Sequence, residues 1–374
     1  MEGTADDRAE VWRLAAQRAA MSAAEKAAIE IQLRDRIRHL EGELARAHGT
    51  LTNVVASRSW TVTEPLRRLR ARRFQVPQSQ AAYETTSREE LFERRMAAAY
   101  EARWSNWPQS ESPGFNQKIW QRRLTDRRPI LKTYCDKAAT LEHVRQLLPA
   151  QVLPERLTTA DSMAQLSFSE LPDEYVVKVT HASGGSVVVW DGPESPGYSH
   201  EVWVRRAYHR GDVPFEVVRA ELGRCLEHDF GWDLLEWGYL DVPRTVAVDR
   251  LYRGADGGLP DDLSIYVFHG RAEVIRQASD RQRSTERWAG MFDRDWKTLP
   301  IRHGRATPAE FPRPEELDFA IELAEELCTD DETMRVDFLL TADGLRFGEI
   351  TPYTMSGNVE TDTDTADQYL GSFW

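Results

Sequence analysis

Two acidic residues near the C-terminus, Asp337 and Glu349, have the type and spacing needed to hold a divalent cation. They lie in two apolar segments, Met334–Leu340 and Leu345–Ile350, which predict a β-hairpin around an Ala-Asp-Gly turn. Both carboxylates can then face one side, with Thr351 following on the same strand face as Glu349. Such a pair is costly unless a cation neutralises it, and oxygen ligands suit Mg²⁺ that bridges ATP phosphates. The alternative is a cross-strand pair of acids left in solvent.

A lysine close to a glycine turn is a candidate phosphate site. Lys178 lies near the end of a predicted strand, Tyr175–Val179, and a second strand is predicted at Val187–Trp190. The loop between the two strands contains His181, Ser183, Gly184 and Gly185. Glycines let backbone N–H groups converge on a phosphate, and a lysine adds a point charge. A hairpin turn that carries a surface lysine would have the same pattern.

A short apolar segment, Thr245–Val248, ends in an acid and could bind a nucleoside. As a strand, it could offer the backbone groups of Val246 and Val248 to an adenine edge. The carboxylate of Asp249 could then meet a ribose hydroxyl. Taken alone, the segment is explained more simply as an ordinary strand end.

Several basic residues could bind a phosphate or an anionic substrate, because arginine pairs with either group through two hydrogen bonds and lysine supplies a point charge. The candidates are Lys132, Lys137, Arg276 and Arg281. Any one of them, considered alone, is more simply a surface charge.

The elements that must position these residues mix helices with strands, so the sequence predicts an α+β fold. Further strands are predicted at Ser264–Phe268 and Ala272–Ile275. Helices are predicted at Leu141–Leu148, which Pro149 ends, and at Glu315–Leu327. No internal repeat occurs.

The N-terminal part differs in composition from the rest of the chain. Residues 5–50 are rich in Ala, Glu and Arg, and their apolar residues recur at steps of three and four: Leu33, Ile37, Leu40, Leu44, Ala47 and Leu51. This spacing places one apolar stripe on a charged helix, which predicts a coiled coil over residues 1–55 and a homodimer or a hetero-assembly through it. A single solvated helix is the alternative.

The segment Trp60–Arg73 combines a tryptophan with clustered arginines. An indole suits headgroup depth and guanidinium groups suit lipid phosphates, so peripheral membrane contact is one hypothesis. The segment also resembles S-x-S-W-x-x-T-x-P-L-R, which follows coiled coils in bacterial polysaccharide-assembly glycosyltransferases. A basic helix end is the simpler alternative. With the polar residues that follow it, the segment predicts a linker over residues 56–90 and a catalytic domain over residues 91–374.

The composition narrows the class of protein. The chain has 374 residues, a formal net charge of −13 and a pI of about 5.3. A net-acidic chain is a poor non-specific partner for nucleic acid. Its three cysteines are widely spaced and predict neither a disulfide framework nor a metal site. The acidic N-terminus does not suit a signal peptide, and no run of about 18 apolar residues occurs. These features predict a cytoplasmic protein.

The order of these segments resembles the ATP-grasp fold and, more narrowly, the TupA-like ATP-grasp family, named for teichuronopeptide assembly. The resemblance covers about residues 115–372. Its motifs are Phe115–Trp120, Pro129–Lys132, Asp136-Lys137, Leu171-Pro172, Val267–Arg271, Phe292–Trp296, Arg335–Asp337, Phe347–Thr351, Ser356-Gly357 and Leu370-Gly371. So many short motifs in one order are unlikely by chance.

The resemblance implies two α+β lobes that clasp Mg-ATP. It implies that Lys178 holds the α- and β-phosphates under a lid formed by His181–Gly185. Lys132 is implied to be a second nucleotide-binding lysine, and Val246–Asp249 the adenine hinge.

For the metal, the resemblance implies Mg²⁺ ligation by Asp337 and Glu349. Thr351 occupies the position where most ATP-grasp enzymes have a metal-binding Asn. Arg276 and Arg335 are the expected catalytic cations beside Lys178. The chain departs from the family pattern at three positions: Ser264 replaces a lysine, Asp249 replaces a glutamate and Leu141 replaces an arginine.

The activity implied is that of an ATP-dependent carboxylate–amine ligase that acts through an acyl phosphate in cell-surface polysaccharide or glycopeptide assembly. A glycan or sugar kinase that uses the same nucleotide site is an alternative. A third hypothesis, which the replacements at Ser264 and Asp249 favour, is a nucleotide-binding scaffold without catalysis.

Overall fold

The computed structural model describes residues 87–104, 113–192, 194–200, 203–279, 288–301, 306–329, 332–359 and 364–374. The predicted coiled coil, the segment Trp60–Arg73 and the candidate Arg281 lie outside these residues. Ser87–Trp374 form one compact unit. No helix in the described part of the chain is both long and apolar enough to cross a membrane.

The first sheet contains, in the described residues, strands with the spatial order β1-β6-β2-β3-β5-β4. Their bounds are β1 Arg156–Ala160, β2 Tyr175–Val179, β3 Gly185–Trp190, β4 Ser195–His200, β5 Trp203–His209 and β6 Val246–Arg250. β3 and β5 run parallel and the other pairs are antiparallel. The predicted strands at 175–179 and 187–190 are therefore confirmed as neighbours.

The second sheet contains, again in the described residues, strands with the order β10-β9-β8-β7-β11-β12. Their bounds are β7 Asp261–Phe268, β8 Arg271–Ser279, β9 Trp288–Asp293, β10 Thr307–Pro308, β11 Thr333–Thr341 and β12 Gly344–Thr351. Only the β9–β10 pair is parallel among these pairings. The predicted hairpin is confirmed as β11 and β12.

Helices cover faces of the two sheets. In chain order the described α-helices are α1 Arg88–Trp104, α2 Phe115–Thr125, α3 Ile130–Cys135, α4 Lys137–Val144, α5 Phe215–Glu227, α6 Phe230–Leu234, α7 Leu317–Leu327 and α8 Asp364–Ser372. α5 packs on β2, β3 and β5 of the first sheet, and α7 packs on β7 and β8 of the second. The predicted mixture of helices and strands is confirmed.

The alternation along β2 shows how the core fixes the position of a candidate residue. Tyr175, Val177 and Val179 are buried in the core of the first sheet, where Val218 and Leu222 of α5 also lie. Because neighbouring side chains on a strand point to opposite faces, Lys178 projects from the other face of the sheet. The apolar residues of β2 thus determine where its lysine points.

Candidate functional site

Four polar residues lie side by side across the second sheet. Arg276 of β8 pairs with Ser264 of β7, Ser264 pairs with Asp337 of β11, and Asp337 pairs with Glu349 of β12. Directly opposed residues in antiparallel strands share a face of the sheet. The structure therefore brings the two predicted magnesium ligands and Arg276 onto one surface.

A β-bulge is what puts Glu349 beside Asp337. Phe338 pairs with Phe347, so regular pairing would set Asp337 opposite Gly348 and leave Glu349 opposite a core valine. The register shift makes Gly348 the extra residue of β12. A Cβ at Gly348 would lie 2.9 Å from the carbonyl oxygen of Asp337, so this close approach requires glycine.

The next row on this face holds Arg335 and Thr351, which are also cross-strand partners. The Nε of Arg335 donates to Asp337 Oδ1 at 2.8 Å, and Nη2 donates to Oδ2 at 2.6 Å. Nη2 also donates to Thr351 Oγ1 at 3.1 Å and lies 3.6 Å from Glu349 Oε1. The Asp337 carboxylate is therefore bound on both oxygens by one guanidinium. Burial would lower the pKa of Arg335, but the charge of Asp337 and the hydrogen bonds to it outweigh burial and raise that pKa.

Lys137, at the start of α4, connects the metal-site candidates to the glycine loop. Its Nζ donates to the carbonyl oxygen of Ala182 at 2.6 Å and lies 3.8 Å from Glu349 Oε2. Burial alone would raise the pKa of Glu349, but the charges of Lys137 and Arg335 outweigh it and lower that pKa. Burial in turn lowers the pKa of Lys137. The Glu349 carboxylate is thus kept ionised.

Lys178 is paired with a buried carboxylate on the neighbouring strand. Its Nζ lies 2.5 Å from Asp249 Oδ2, and Arg156 binds the other oxygen. Burial would raise the pKa of Asp249, but these two cations lower it. The Asp249 side chain is only 4% exposed. Two cations bind its carboxylate, whereas the sequence predicted that this carboxylate would bind a ribose hydroxyl.

The predicted adenine hinge lies inside the first sheet. β6 is hydrogen-bonded to β1 on one side and to β2 on the other, so the backbone of Val246 and Val248 faces neighbouring strands. Their side chains are fully buried in the core of this sheet. The structure does not bring these two residues to the cleft wall, because an interior strand has few backbone groups left for a ligand.

The residues of the predicted lid differ in environment, because some line the cleft and others are buried outside it. Ser183 and Gly184 line the cleft, and Gly184 has a φ of 75°, which favours glycine. Gly185 begins β3, and a Cβ there would meet the Val179 side chain at 2.4 Å. His181 is buried, and its Nε2 lies 3.2 Å from the carbonyl oxygen of His228. Burial lowers the pKa of His181 to about 4, so its ring is neutral near pH 7.

Lys132 lies away from the predicted phosphate position. It belongs to α3, and its ammonium group lies 4.7 Å from the centre of the Trp237 ring, in cation–π contact. It is not among the described residues that line the cleft. Lys132 was predicted to bind nucleotide because it ends a family motif, and the motif does not indicate that Trp237 lies beside it.

A cleft of about 620 Å³ unites the candidate residues of both sheets. The predicted site residues that line it are Lys137, Lys178, Ser183, Gly184, Arg276, Arg335, Asp337, Glu349 and Thr351. The polar residues of its wall that were not predicted from the sequence include Arg205, Glu236, Tyr239 and Asp262. The only indication for Glu236 was one acid within an aromatic and apolar stretch.

The donor set fits Mg²⁺ bound together with phosphates. Two carboxylates and the Thr351 hydroxyl offer hard oxygen ligands, and Mg²⁺ commonly takes only one or two carboxylates and completes its shell with water and phosphate oxygens. Within the described part of the chain, no group of three or more His, Cys, Asp or Glu residues could hold a metal by itself. The guanidinium of Arg335 occupies one acceptor position on each oxygen of Asp337, so a cation there would lie beside it or displace it.

Comparison with known families finds a match in the C-terminal part of the chain. The family model described as TupA-like ATPgrasp matches residues 241–374. This segment contains β6 to β12 and the magnesium-site candidates. No curated protein matches the chain by sequence.

Solved structures gave distant similarities. D-alanine–D-alanine ligase from Bacillus anthracis is 18% identical over 65% of this chain and 64% of its own, with a TM-score of 0.36. The ATP-grasp ligase PsnB, complexed with a phosphomimetic variant of its minimal precursor, Mg and ADP, is 13% identical over 75% and 66%, with a TM-score of 0.34. N5-carboxyaminoimidazole synthetase from Staphylococcus aureus is 11% identical over 59% and 44%, with a TM-score of 0.31. The chain spans less than two thirds of the length of each. The family match thus confirms the predicted TupA-like ATP-grasp resemblance for residues 241–374.

Proposed function

We propose that the chain binds Mg-ATP in the cleft and uses it to ligate a carboxylate to an amine through an acyl phosphate. The observation that carries this proposal is the row formed by Arg276, Ser264, Asp337 and Glu349, which lines the same cleft as Lys178. Lys178 of the first sheet thereby faces the same cavity as Arg276 and the two carboxylates of the second sheet, so cations for phosphate and carboxylates for Mg²⁺ are available together. The family match over residues 241–374 supports the same activity.

The cations of the cleft have distinct roles in this proposal. Lys178 and the backbone at Gly184 bind phosphate oxygens of the nucleotide. Arg276 and Arg335 neutralise charge that develops on the transferred phosphoryl group. Asp337 and Glu349 would hold a Mg²⁺ ion, with the Thr351 hydroxyl as a third oxygen. The chemistry that the ion would supply is stabilisation of the negative charge on the phosphates.

Phosphoryl transfer to a carboxylate gives an acyl phosphate and ADP. An amine then forms a bond to the acyl carbon, and the bond from that carbon to the phosphate oxygen breaks. Inorganic phosphate is therefore a product of ligation. A kinase that uses the same site would give ADP and a phosphorylated sugar without free phosphate.

The experiment is to incubate purified protein with Mg-ATP and combinations of amino acids and uronic acids, and to measure ADP and phosphate separately. The proposal predicts equal release of both, dependent on a carboxylate together with an amine. The Asp337→Asn variant is the background control. ADP with phosphorylated sugar and no free phosphate would favour the kinase. Absence of both products across the panel would contradict enzymatic function and favour the scaffold.

We further propose that the catalytic domain spans residues 91–374 and works in cell-surface polysaccharide or glycopeptide assembly. The resemblance of Trp60–Arg73 to a segment of polysaccharide-assembly glycosyltransferases supports this setting. The heptad-like spacing over residues 5–50 supports a dimer or hetero-assembly. The three cysteines of the chain are buried free thiols, which supports a reducing compartment such as the cytoplasm. The tryptophan and arginines of Trp60–Arg73 support peripheral membrane contact.

A further inference from the structure

Glu236 is a buried acid in the wall of the cleft, far along the chain from the magnesium-site candidates. It follows α6, where Leu235 adopts a φ of 54° and ends the helix. The backbone N–H of Glu236 donates to the carbonyl oxygen of Gly231 at 3.0 Å, which fixes the turn. The side chain is 3% exposed and lines the cleft together with Phe230, Leu234 and Tyr239.

The carboxylate of Glu236 has one unused oxygen. Ser356 hydrogen-bonds to the side chain, but Oε1 is buried without a partner among the described residues. The nearby guanidinium of Arg123 is bound elsewhere: Nε donates to the carbonyl of Leu235 at 3.2 Å and Nη1 to that of Ser356 at 2.7 Å. Leaving a buried oxygen unpaired is unfavourable, so a ligand N–H at this position is favoured.

The other acids of the cleft differ in this respect. Asp337 is bound by Arg335, and Glu349 lies beside Lys137. Of the acids that line the cleft, only Glu236 has a buried oxygen without a hydrogen-bond partner in the described part of the chain. The pKa of Glu236 is raised by burial, against the opposing charge of Arg123, to about 7. A carboxylate with such a pKa can take up a proton near neutral pH.

The charges that line the cleft favour an anionic ligand in one part and a cationic ligand in another. Lys137, Lys178, Arg276 and Arg335 line the part near the magnesium-site candidates and would repel an ammonium group. Phe230 and Leu234 give the wall around Glu236 an apolar character, which strengthens a charged contact by excluding water. An aliphatic amine fits both features: its ammonium group meets the carboxylate, and its carbon chain meets the apolar side chains.

We propose that Glu236 binds the primary amine of the acceptor substrate and takes its proton before the amine attacks. This inference rests on the proposed ligase function. The ammonium form transfers one proton to the Glu236 carboxylate, which gives a neutral amine and a carboxylic acid. The amine lone pair forms the C–N bond as the bond between carbon and phosphate oxygen breaks. The second proton lost from nitrogen leaves on the phosphate.

The test compares n-butylamine with n-butanol, which is similar in shape and carries no charge. Their dissociation constants are measured by ligand-observed NMR titration of the wild type, with and without saturating Mg-ADP. We expect the amine to bind at least about tenfold more tightly than the alcohol, since a hydrogen bond to a charged group contributes about 1.5–3 kcal/mol. In Glu236→Gln the two compounds should bind with about equal dissociation constants.

Glu221→Gln is the matched control. Glu221 is also a buried acid with an unpartnered oxygen, but it lies on α5, pairs with Arg206 and does not line the cleft. Its substitution should leave the preference for the amine unchanged. The proposal is overturned by a wild type that does not prefer the amine, or by Glu236→Gln that retains the preference. The wild-type comparison decides the matter even if a variant does not fold.

Calorimetric titration with Mg-ADP separates this inference from the proposed function. A wild type that binds n-butylamine selectively but does not bind Mg-ADP contradicts the proposed function and leaves Glu236 as an amine site. A wild type that binds Mg-ADP but shows no preference for the amine contradicts the role of Glu236 alone. Glutamine resembles the protonated carboxyl in shape, so Mg-ADP affinity should be unchanged in Glu236→Gln.

Discussion

At the scale of single residues, three cations of the cleft are each paired with a carboxylate of the protein. Arg335 binds Asp337, Lys137 lies beside Glu349, and Lys178 is paired with Asp249. Removing one member of a buried pair leaves an uncompensated charge. Binding of Mg²⁺ and phosphate therefore exchanges internal ion pairs for pairs with the ligand.

The buried pair of Lys178 and Asp249 gives a prediction about stability. Asp249→Asn should lower the free energy of unfolding by about 2–4 kcal/mol near neutral pH, because Lys178 and Arg156 lose their shared carboxylate. A carboxyl group with a lowered pKa in the folded state stabilises the protein above its unfolded pKa of about 4, and this contribution is lost as the pH falls. The difference between wild type and variant should therefore shrink in acid.

Urea unfolding from about pH 7 down to about pH 3 measures this difference. Asp343→Asn, an exposed acid in the β11–β12 turn, serves as the control and should track the wild type. Parallel stability curves for wild type and Asp249→Asn would show that the carboxylate contributes no pH-dependent stability.

Sequence reasoning predicted some residues of the site because their local context is informative. Lys178 stands out as a charge on an apolar strand, and Asp337 and Glu349 stand out as acids on a hairpin. The positions of Lys132 and His181 depend on Trp237 and His228, which lie far away along the chain. Such surroundings are set by packing, so local spacing does not reveal them.

At the scale of elements, the β11–β12 hairpin carries the centre of the site. Its bulge at Gly348 sets Glu349 opposite Asp337, and its turn is closed by Gly344 with a φ of 93°. The hairpin itself was predicted from two apolar runs and a glycine. The bulge was not, although the shared face of the two acids depends on it. A shift of one residue in register turns a side chain to the other face.

Two glycine substitutions of opposite expected sign test the turn. Gly344→Ala should destabilise the protein by about 1–2 kcal/mol, because its φ is costly for a residue with a Cβ. Gly223→Ala, within α5, should stabilise it by about 0.5–1 kcal/mol, since alanine favours a helix. Neither new Cβ has an atom within 4 Å, so packing does not contribute.

Thermal or urea unfolding of the two variants measures both changes. Equal effects of the two substitutions would contradict the assigned backbone conformation of the turn. A stabilised Gly344→Ala variant would do so as well, because relief of chain entropy would then outweigh any strain.

Strands with buried alternating residues were predicted more readily than polar ones. β2 and β3 were predicted because valines dominate them, whereas β1 and β5 were not. β5 reads Trp-Val-Arg-Arg-Ala-Tyr-His, and its buried residues Val204 and Ala207 are three positions apart, so no apolar alternation marks it as a strand. α4 begins four residues before the predicted helix, at Lys137, because Asp136 accepts a hydrogen bond from the backbone N–H of Ala138.

At the scale of the whole molecule, the cleft joins residues that are far apart in sequence. Lys137, Lys178, Glu236 and Glu349 come from four segments, and their convergence within the unit Ser87–Trp374 was predicted only through the family resemblance. Glu236 belongs to none of the motifs that carried that resemblance. The wall that it helps to form is contributed by α6 and the turn after it, and the folded structure rather than a local motif reveals it.

Binding of Mg-ATP in this cleft is the central claim, and calorimetric titration with a non-hydrolysable ATP analogue tests it most directly. We expect saturable Mg²⁺-dependent binding to the wild type and to Asp343→Asn. Affinity should be at least about tenfold weaker in the combined variant Asp337→Asn with Glu349→Gln, a loss of about 1.4 kcal/mol or more. Equal affinity in the wild type and the combined variant, or no binding to either, would contradict the claim.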